Sequence, residues 1–321
     1  MNTLPPSVTQ SLILFFLMAA GFVAGKAGIL RGEAVRGLSR FLLDFTLPAL
    51  IIVSMQRPFT PDLRDQALRV LGLSVLVYAA SFPLAFAFTA LYRRAPIAEK
   101  GVHRFAMCFS NVGFMGFPVA ESVLGRESLF MVSIYNIPFQ VLAFSVGVAL
   151  VRATRDGSSE NPNGRRSILS LSSLKALLNP AILAALVGFA LFLFSVRIPE
   201  PLFSSLELLG GTTTPLAMAI IGAVLAGTKL GGLLGNPRLW ITTGYRLALH
   251  PFLVFLLAKA LGLTGLELAV PVLIAAMPVA ANTTILAGVY GGDAVNASGL
   301  VFVSTVLSLA TIPLLANLLG H

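Results

Sequence analysis

The chain has 321 residues, of which 56% are hydrophobic and 11% charged, with a mean hydropathy of +0.89. Soluble domains sit at roughly 45 to 50% apolar and about 25% charged, so this composition excludes an ordinary water-soluble domain and points to a chain solvated by lipid. The formal charge of +9 would suggest nucleic-acid binding in a soluble domain, but here the basic residues fill short gaps between apolar runs, where they act as topology signals.

Runs of about 20 apolar residues, enough to cross roughly 30 Å of hydrocarbon at about 1.5 Å per residue, occur ten times. They cover residues 8–28, 37–56, 67–91, 102–124, 129–151, 174–196, 202–228, 238–261, 267–290 and 295–318, which predicts an all-α polytopic membrane protein. No Lys or Arg precedes the first run, so a cleaved leader with a basic start is a poor fit and the first span is expected to stay. Its Gly21 and Gly25 allow close helix contact. The second span carries Asp44, the one acidic residue well inside a span. A charge there costs about 3 kcal/mol on insertion scales. Arg40, one turn earlier, can pair with it, so Asp44 reads either as half of a structural pair or as a proton- or cation-coupling group.

The fourth and ninth spans hold the residues least suited to an unbroken helix. In the fourth, Asn111 to Glu121 reads NVGFMGFPVAE, with Gly113, Gly116 and Pro118; in the ninth, Met277 to Gly288 reads MPVAANTTILAG, with Pro278, Thr283 and Thr284. Membranes tolerate such segments where the freed backbone faces protein or a water-filled cavity, and two of them at matching positions point to a transport site. Each helix is expected to give way to a short extended piece and restart, leaving unpaired N–H groups at one half-helix start and unpaired carbonyls at one half-helix end. If the extended pieces cross near the midplane, positive helix ends converge on one small volume that suits an anion. The side chains agree: Phe105 to Ala120 and Leu268 to Gly292 contain no Asp or Glu, whereas Asn111, Asn282 and Thr283 offer neutral hydrogen bonds. A carboxylate-bearing cargo is therefore favoured over a metal cation. The plainer alternative, that Pro118 and Pro278 only kink packed helices, accounts for either proline better than for the matched pair.

On the fifth span Asn136 and Gln140 lie one turn apart; such amides either join neighbouring helices or line the site. On the eighth, Arg246 and His250 share a face. They could balance Asp44 or draw an anion inward, or be a snorkelling arginine and a hydrogen-bonded core histidine. Cys108 is the single cysteine, so neither an intrachain disulfide nor a cysteine metal site is available, and neither a metal nor a cofactor is expected.

Between the fifth and sixth spans, Arg152 to Ser173 is rich in Gly, Asn, Pro, Ser and charge, the composition of a flexible connector. It divides the chain into a first half, 1–151, a connector, 152–173, and a second half, 174–321. Five spans per half require the second half to enter from the opposite side, which makes any repeat an inverted one. Weak matches occur in the same order in both halves: Pro48 with Pro215, Tyr78 and Pro83 with Arg246 and Pro251, and Ser133 and Pro138 with Ser304 and Pro313. Of the 22 Lys and Arg residues, 16 fall on the side that holds the connector, and 6 (Arg57, Arg64, Arg69, Arg126, Arg197 and Lys259) on the other. The positive-inside rule then puts the connector in the cytoplasm and both termini outside.

The segment Asn111-Val-Gly-Phe-Met-Gly116-Phe-Pro118, the segment Pro278 to Tyr290 and the Arg246 to Pro251 spacing together resemble the auxin efflux carrier family, in particular its bacterial members related to the plant PIN carriers. The resemblance covers essentially the whole chain. It implies ten transmembrane helices as two inverted repeats with broken crossover helices 4 and 9, a scaffold of helices 1, 2, 6 and 7, and a transport domain of helices 3 to 5 and 8 to 10. It also implies a homodimer in the bacterial inner membrane, elevator-like movement, and organic anions such as auxin or malonate as cargo. By motif, Asn111, Gly116, Pro118, Pro278 and Asn282 would contact or frame the substrate. The long hydrophilic loop of the plant carriers is here about 20 residues, so their kinase regulation does not carry over. The expected function is a secondary transporter of small organic anions; the rival is a sodium- or proton-coupled symporter of the bile-acid-symporter type. An intramembrane enzyme fits poorly, since the spans lack a paired Asp, an HExxH motif or a Ser with a nearby His.

Overall fold

A backbone in hydrocarbon has no water to pair with, so apolar stretches of this length satisfy their N–H and C=O groups as helices. The computed structural model describes residues 6–152, 179–228 and 232–318, and these are helical apart from short connections and one isolated bridge. In chain order the helices are α1 (Pro6–Lys26), α2 (Glu33–Ser54), α3 (Pro61–Ala90), α4 (Ile97–Cys108), α5 (Val112–Leu124), α6 (Ser128–Leu142) and α7 (Val148–Arg152). They continue as α8 (Pro180–Leu193), α9 (Leu202–Gly227), α10 (Pro237–Ala260), α11 (Gly265–Ala275), α12 (Asn282–Tyr290) and α13 (Ala294–Leu318). Nearly all of the expected connector, 152–173, and the first residues of the expected sixth span lie outside the described residues.

Five of these helices, α2, α3, α9, α10 and α13, are each long and apolar enough to cross a bilayer, and α6 with the short helix after it makes a sixth at a bend of 42°. Large apolar side chains face outward on them, for example Phe45, Val75, Leu208, Phe252 and Leu314. In water such a surface would drive association; against lipid tails it costs nothing. The protein is thus a helical, multi-pass membrane protein.

Local chemistry sets the helix starts. Thr60, Asn179 and Asn236 each precede a proline and accept a hydrogen bond from a first-turn N–H (Leu63, Ala181 and Arg238, at 3.2, 2.9 and 3.1 Å). The side chain caps one orphan donor, and the proline has none to lose. Prolines inside helices are handled differently. Widened π turns at Leu42–Thr46, Val112–Gly116 and Tyr245–Leu249 end two residues before Pro48, Pro118 and Pro251. A proline ring clashes with the carbonyl four residues back, and the wider turn moves that carbonyl aside.

Two groups of helices emerge from the packing. In one, α1 lies along α9, and α2 packs on α8 and α9. A side chain at Gly21 would collide with the Ala219 carbonyl, and one at Gly222 with the Met18 carbonyl, so the α1 and α9 backbones touch. In the other, α3 packs on α4 and α6, α10 on α11, and α12 on α13. The α4 and α11 helices stop short and leave the two interrupted segments inside this second group.

Candidate functional site

Helix α4 stops at Cys108 and α5 begins at Val112; α11 stops at Ala275 and α12 begins at Asn282. In the gaps the chain is extended, and the two gaps pair antiparallel at Ser110 and Val279. The Asn111 N–H donates to the Pro278 carbonyl at 2.8 Å and the Ala280 N–H to the Phe109 carbonyl at 3.2 Å. Val279 N–H donates to Ser304 Oγ at 3.1 Å, tying the crossing to α13. Two backbones that would otherwise be orphaned in a membrane thus satisfy each other.

The breaks differ in detail from the sequence expectation. Gly113, Gly116 and Pro118 belong to helix α5 and not to the extended piece, which is Phe109 to Asn111. Pro118 is absorbed by the π turn before it. Gly116 serves packing: a Cβ there would sit 2.9 Å from Ile274 Cδ1 and 3.1 Å from Val112 Cγ1. Pro278, by contrast, lies in the crossing itself.

The crossing is electrostatically two-sided. Behind it lies Arg246, 1% exposed, on the π turn of α10. Its Nη1 donates to Met107 O at 3.1 Å, its Nη2 to Ala275 O at 2.8 Å and its Nε to Met277 O at 3.1 Å. The Met107 and Ala275 carbonyls belong to the C-terminal ends of α4 and α11, where helix carbonyls are unpaired and the dipole is negative, and the Met277 carbonyl follows two residues beyond α11. One planar fork therefore caps two half-helices at once, a geometry a lysine cannot reproduce. Among the described residues Arg246 has no carboxylate partner. Nearby, Ser81 Oγ and His250 Nε2 lie 3.0 Å apart.

In front of the crossing is a cavity of about 230 Å³, lined among others by Asp44, Ser110, Asn111, Gly113, Gln140, Asn179 and Asn282. The N-terminal ends of α5 and α12 open onto it. The N–H groups of Gly113 and Phe114, and of Ala281 and Asn282, have no acceptor among the described residues. The side-chain amides of Asn111 and Asn282 are likewise unpartnered there, while Asn179 Nδ2 reaches Gln140 Oε1 at 3.4 Å. Asp44 Oδ2 accepts from Arg40 Nε at 3.2 Å.

Of the residues singled out from sequence, the cavity brings together Asn111, Gln140, Asn282 and Asp44. Thr283 is buried and donates to the Ala280 carbonyl at 2.6 Å; Asn136 is buried, its Oδ1 without a partner among the described residues; neither lines the cavity, nor do Gly116, Pro118, Pro278, Arg246 and His250. Asn179, absent from the sequence expectations, does. Its signal was the Asn-Pro dipeptide that opens a helix.

A polar cluster at the start of α4 anchors this body at one end. Glu99 accepts from Asn236 Nδ2 and Arg238 Nη1, each at 2.9 Å, and Asn236 also reaches Asn296 on α13 at 3.3 Å. Burial alone would raise the Glu99 carboxyl, but the Asn236 and Arg238 bonds prevail and hold it below the usual carboxylate range.

The family profile described as "Membrane transport protein" matches residues 6–316. A Rhizobium meliloti protein whose name marks it as a candidate malonate transporter is 28% identical over 317 residues, 95% of this chain and 93% of that one. An uncharacterised transporter of Methanothermobacter thermautotrophicus is 26% identical over 312 residues, 96% and 97% of the two chains. The Escherichia coli transporter YfdV, also uncharacterised, is 24% identical over 279 residues, 86% of each. A match over nearly the full length, on a multi-pass helical protein with two broken helices crossing beside a polar cavity, makes this chain a membrane transporter and not an enzyme, a member of the membrane transport protein family to which the auxin efflux carriers belong.

Proposed function

We propose that the protein is a secondary transporter of small organic anions, with malonate-like carboxylates as its cargo, held in the cavity in front of the crossing. The observation that carries this reading is the polarity of the crossing: Arg246 caps both negative helix ends on one side, and two positive helix ends with open N–H groups face the cavity on the other. Oriented N–H donors in a water-poor site stabilise negative charge strongly. At about 230 Å³ the cavity lies below the roughly 300 to 1,000 Å³ of drug-sized pockets, which favours a short carboxylate over a large ligand. The named cargo of the Rhizobium relative fits that size and charge.

In this reading ten spans form two inverted repeats, the broken fourth being α4 with α5 and the broken ninth α11 with α12. Helices α1, α2, α8 and α9 are the scaffold, a role supported by their mutual packing. The crossing moves against them as an elevator, in a homodimer of the inner membrane with both termini outside the cytoplasm. Asn111, Gln140 and Asn282 bind the carboxylate, and Arg246 travels with the crossing because it is bonded to both halves of it.

The test is charge movement by purified protein in liposomes on a solid-supported membrane, with malonate, succinate, lactate and indole-3-acetate supplied at fixed pH without sodium, and radiolabel uptake alongside. A saturable signal with a carboxylate is expected. No signal from any of them in either assay would overturn the anion reading, and uptake only with sodium would favour the symporter of the bile-acid-symporter type.

A further inference from the structure

The anion cavity contains a feature that an anion site should avoid. Among the described residues Asp44 is the one acidic or basic side chain lining it, and a carboxylate guest in about 230 Å³ stands close to that carboxylate. Two like charges so close disfavour each other's ionisation, and with the Asp44 side chain 34% exposed water screens that repulsion only in part. The charged groups around Asp44 do not remove the conflict. On its own helix, Arg40 makes a single contact with Oδ2 at 3.2 Å, from a side chain that is 85% exposed, and Glu33 and Arg36 pair with each other near the helix start. Helix α8, packed on this turn, carries no ionisable residue among those described; on α9, Glu207 is paired with Arg126 at 2.9 Å. On α5, Glu121 accepts from Thr214 at 2.8 Å. The second oxygen of Asp44 has no partner among the described residues.

We propose that Asp44 is a proton-linked gate for the cavity: a carboxylate substrate enters with the Asp44 carboxyl protonated, so that loading takes up one proton. The protonated oxygen then serves as a donor to the substrate carboxylate, turning a repulsive neighbour into a ligand. The balance is simple: one proton from solvent joins the Asp44 carboxylate, and no other bond changes. Because Asp44 sits on α2 and not on either half of the crossing, the proton is linked to the state in which the cavity faces α2. This inference rests on the anion reading above and adds to it the residue and the ion that govern loading.

Isothermal titration of the purified full chain with malonate tests it, in two buffers of different ionisation heat, at pH values where malonate is fully ionised and without sodium. The wild type is expected to take up close to one proton per malonate, with the apparent Kd rising by about tenfold per pH unit on the alkaline side. Asp44→Asn is expected to bind malonate with no proton uptake and a flat pH profile, and Asp44→Glu, which keeps a titratable group, to retain the uptake. Malonate binding by the wild type with no proton uptake overturns the proposal whatever the variants do, as does binding that requires sodium in place of the proton, or undiminished uptake by Asp44→Asn. The first and last of those results leave the anion reading standing, whereas a sodium requirement favours the symporter of the bile-acid-symporter type. Failure of the wild type to bind any carboxylate at any pH overturns both.

Discussion

Replacing Arg246 is the sharpest perturbation this structure offers. The guanidinium is fully buried and makes three hydrogen bonds, to Met107, Ala275 and Met277 carbonyls at 3.1, 2.8 and 3.1 Å. Bonds to a charged donor are worth about 1.5 to 3 kcal/mol each, and a buried carbonyl left unpaired costs about 1 to 3 kcal/mol. Arg246→Met therefore costs roughly 4 to 9 kcal/mol by these figures, against a total stability of about 5 to 15 kcal/mol for a typical domain. That variant should scarcely accumulate. Arg246→Lys keeps the charge but reaches one or two of the three carbonyls, for a loss of about 2 to 5 kcal/mol, which at about 2 °C per kcal/mol lowers Tm by roughly 4 to 10 °C. Arg246→Gln removes the charge while keeping donors. A unit charge roughly 8 Å from a bound anion contributes about 2 kcal/mol at an effective dielectric near 20, or about thirtyfold in affinity. Malonate Kd should thus rise about thirtyfold in Arg246→Gln and stay within about threefold of wild type in Arg246→Lys. Fluorescence-detected thermal unfolding in detergent and malonate titration read the two effects separately. A glutamine variant with wild-type Tm and wild-type malonate affinity would refute the reasoning.

Three further outcomes follow from the same geometry. Asn111→Ala, which removes an unpartnered cavity amide, should weaken malonate binding by about 0.5 to 1.5 kcal/mol, roughly two- to tenfold, with Tm unchanged by thermal unfolding; unchanged affinity would take Asn111 out of the site. Gly222→Leu should abolish correct assembly, since its side chain would enter the Met18 carbonyl on α1 and overpacking of this kind costs about 1 to 3 kcal/mol or more; size-exclusion profiles would show it, and a normal profile would place the α1 and α9 contact in error. Glu99 is held below its ordinary range in the folded protein, so it contributes stability that is present above its unfolded value and is lost as pH falls through the folded one. Glu99→Gln should therefore lower Tm at neutral pH and flatten the acid side of a Tm against pH curve; an unaltered curve would count against the cluster with Asn236 and Arg238.

Local covalent limits made part of this protein readable from sequence. A proline without an N–H, a glycine without a Cβ and an apolar run without charges each act where they stand, so the membrane character and the two interrupted helices are legible residue by residue. Asn111 and Asn282 could be picked out because they adjoin the interruptions. Local reasoning misplaced the first break, assigning it to Gly113 through Pro118, because a proline marks where a helix is perturbed and not how; a π turn absorbed Pro118 and the chain opened upstream of Gly113, at Phe109 to Asn111.

Only the tertiary structure decided what the cavity contains. Its wall draws on Asp44, Asn111, Gln140, Asn179 and Asn282, which lie on different elements far apart in the chain, and no periodicity encodes which faces converge. Gln140 and Asn136 look equivalent in sequence, one turn apart, and both are buried, yet only Gln140 lines the cavity. Arg246 shows the same limit most clearly. Its charge in an apolar span announces a function or a partner, but its three acceptors are backbone carbonyls, groups every residue carries and no sequence distinguishes.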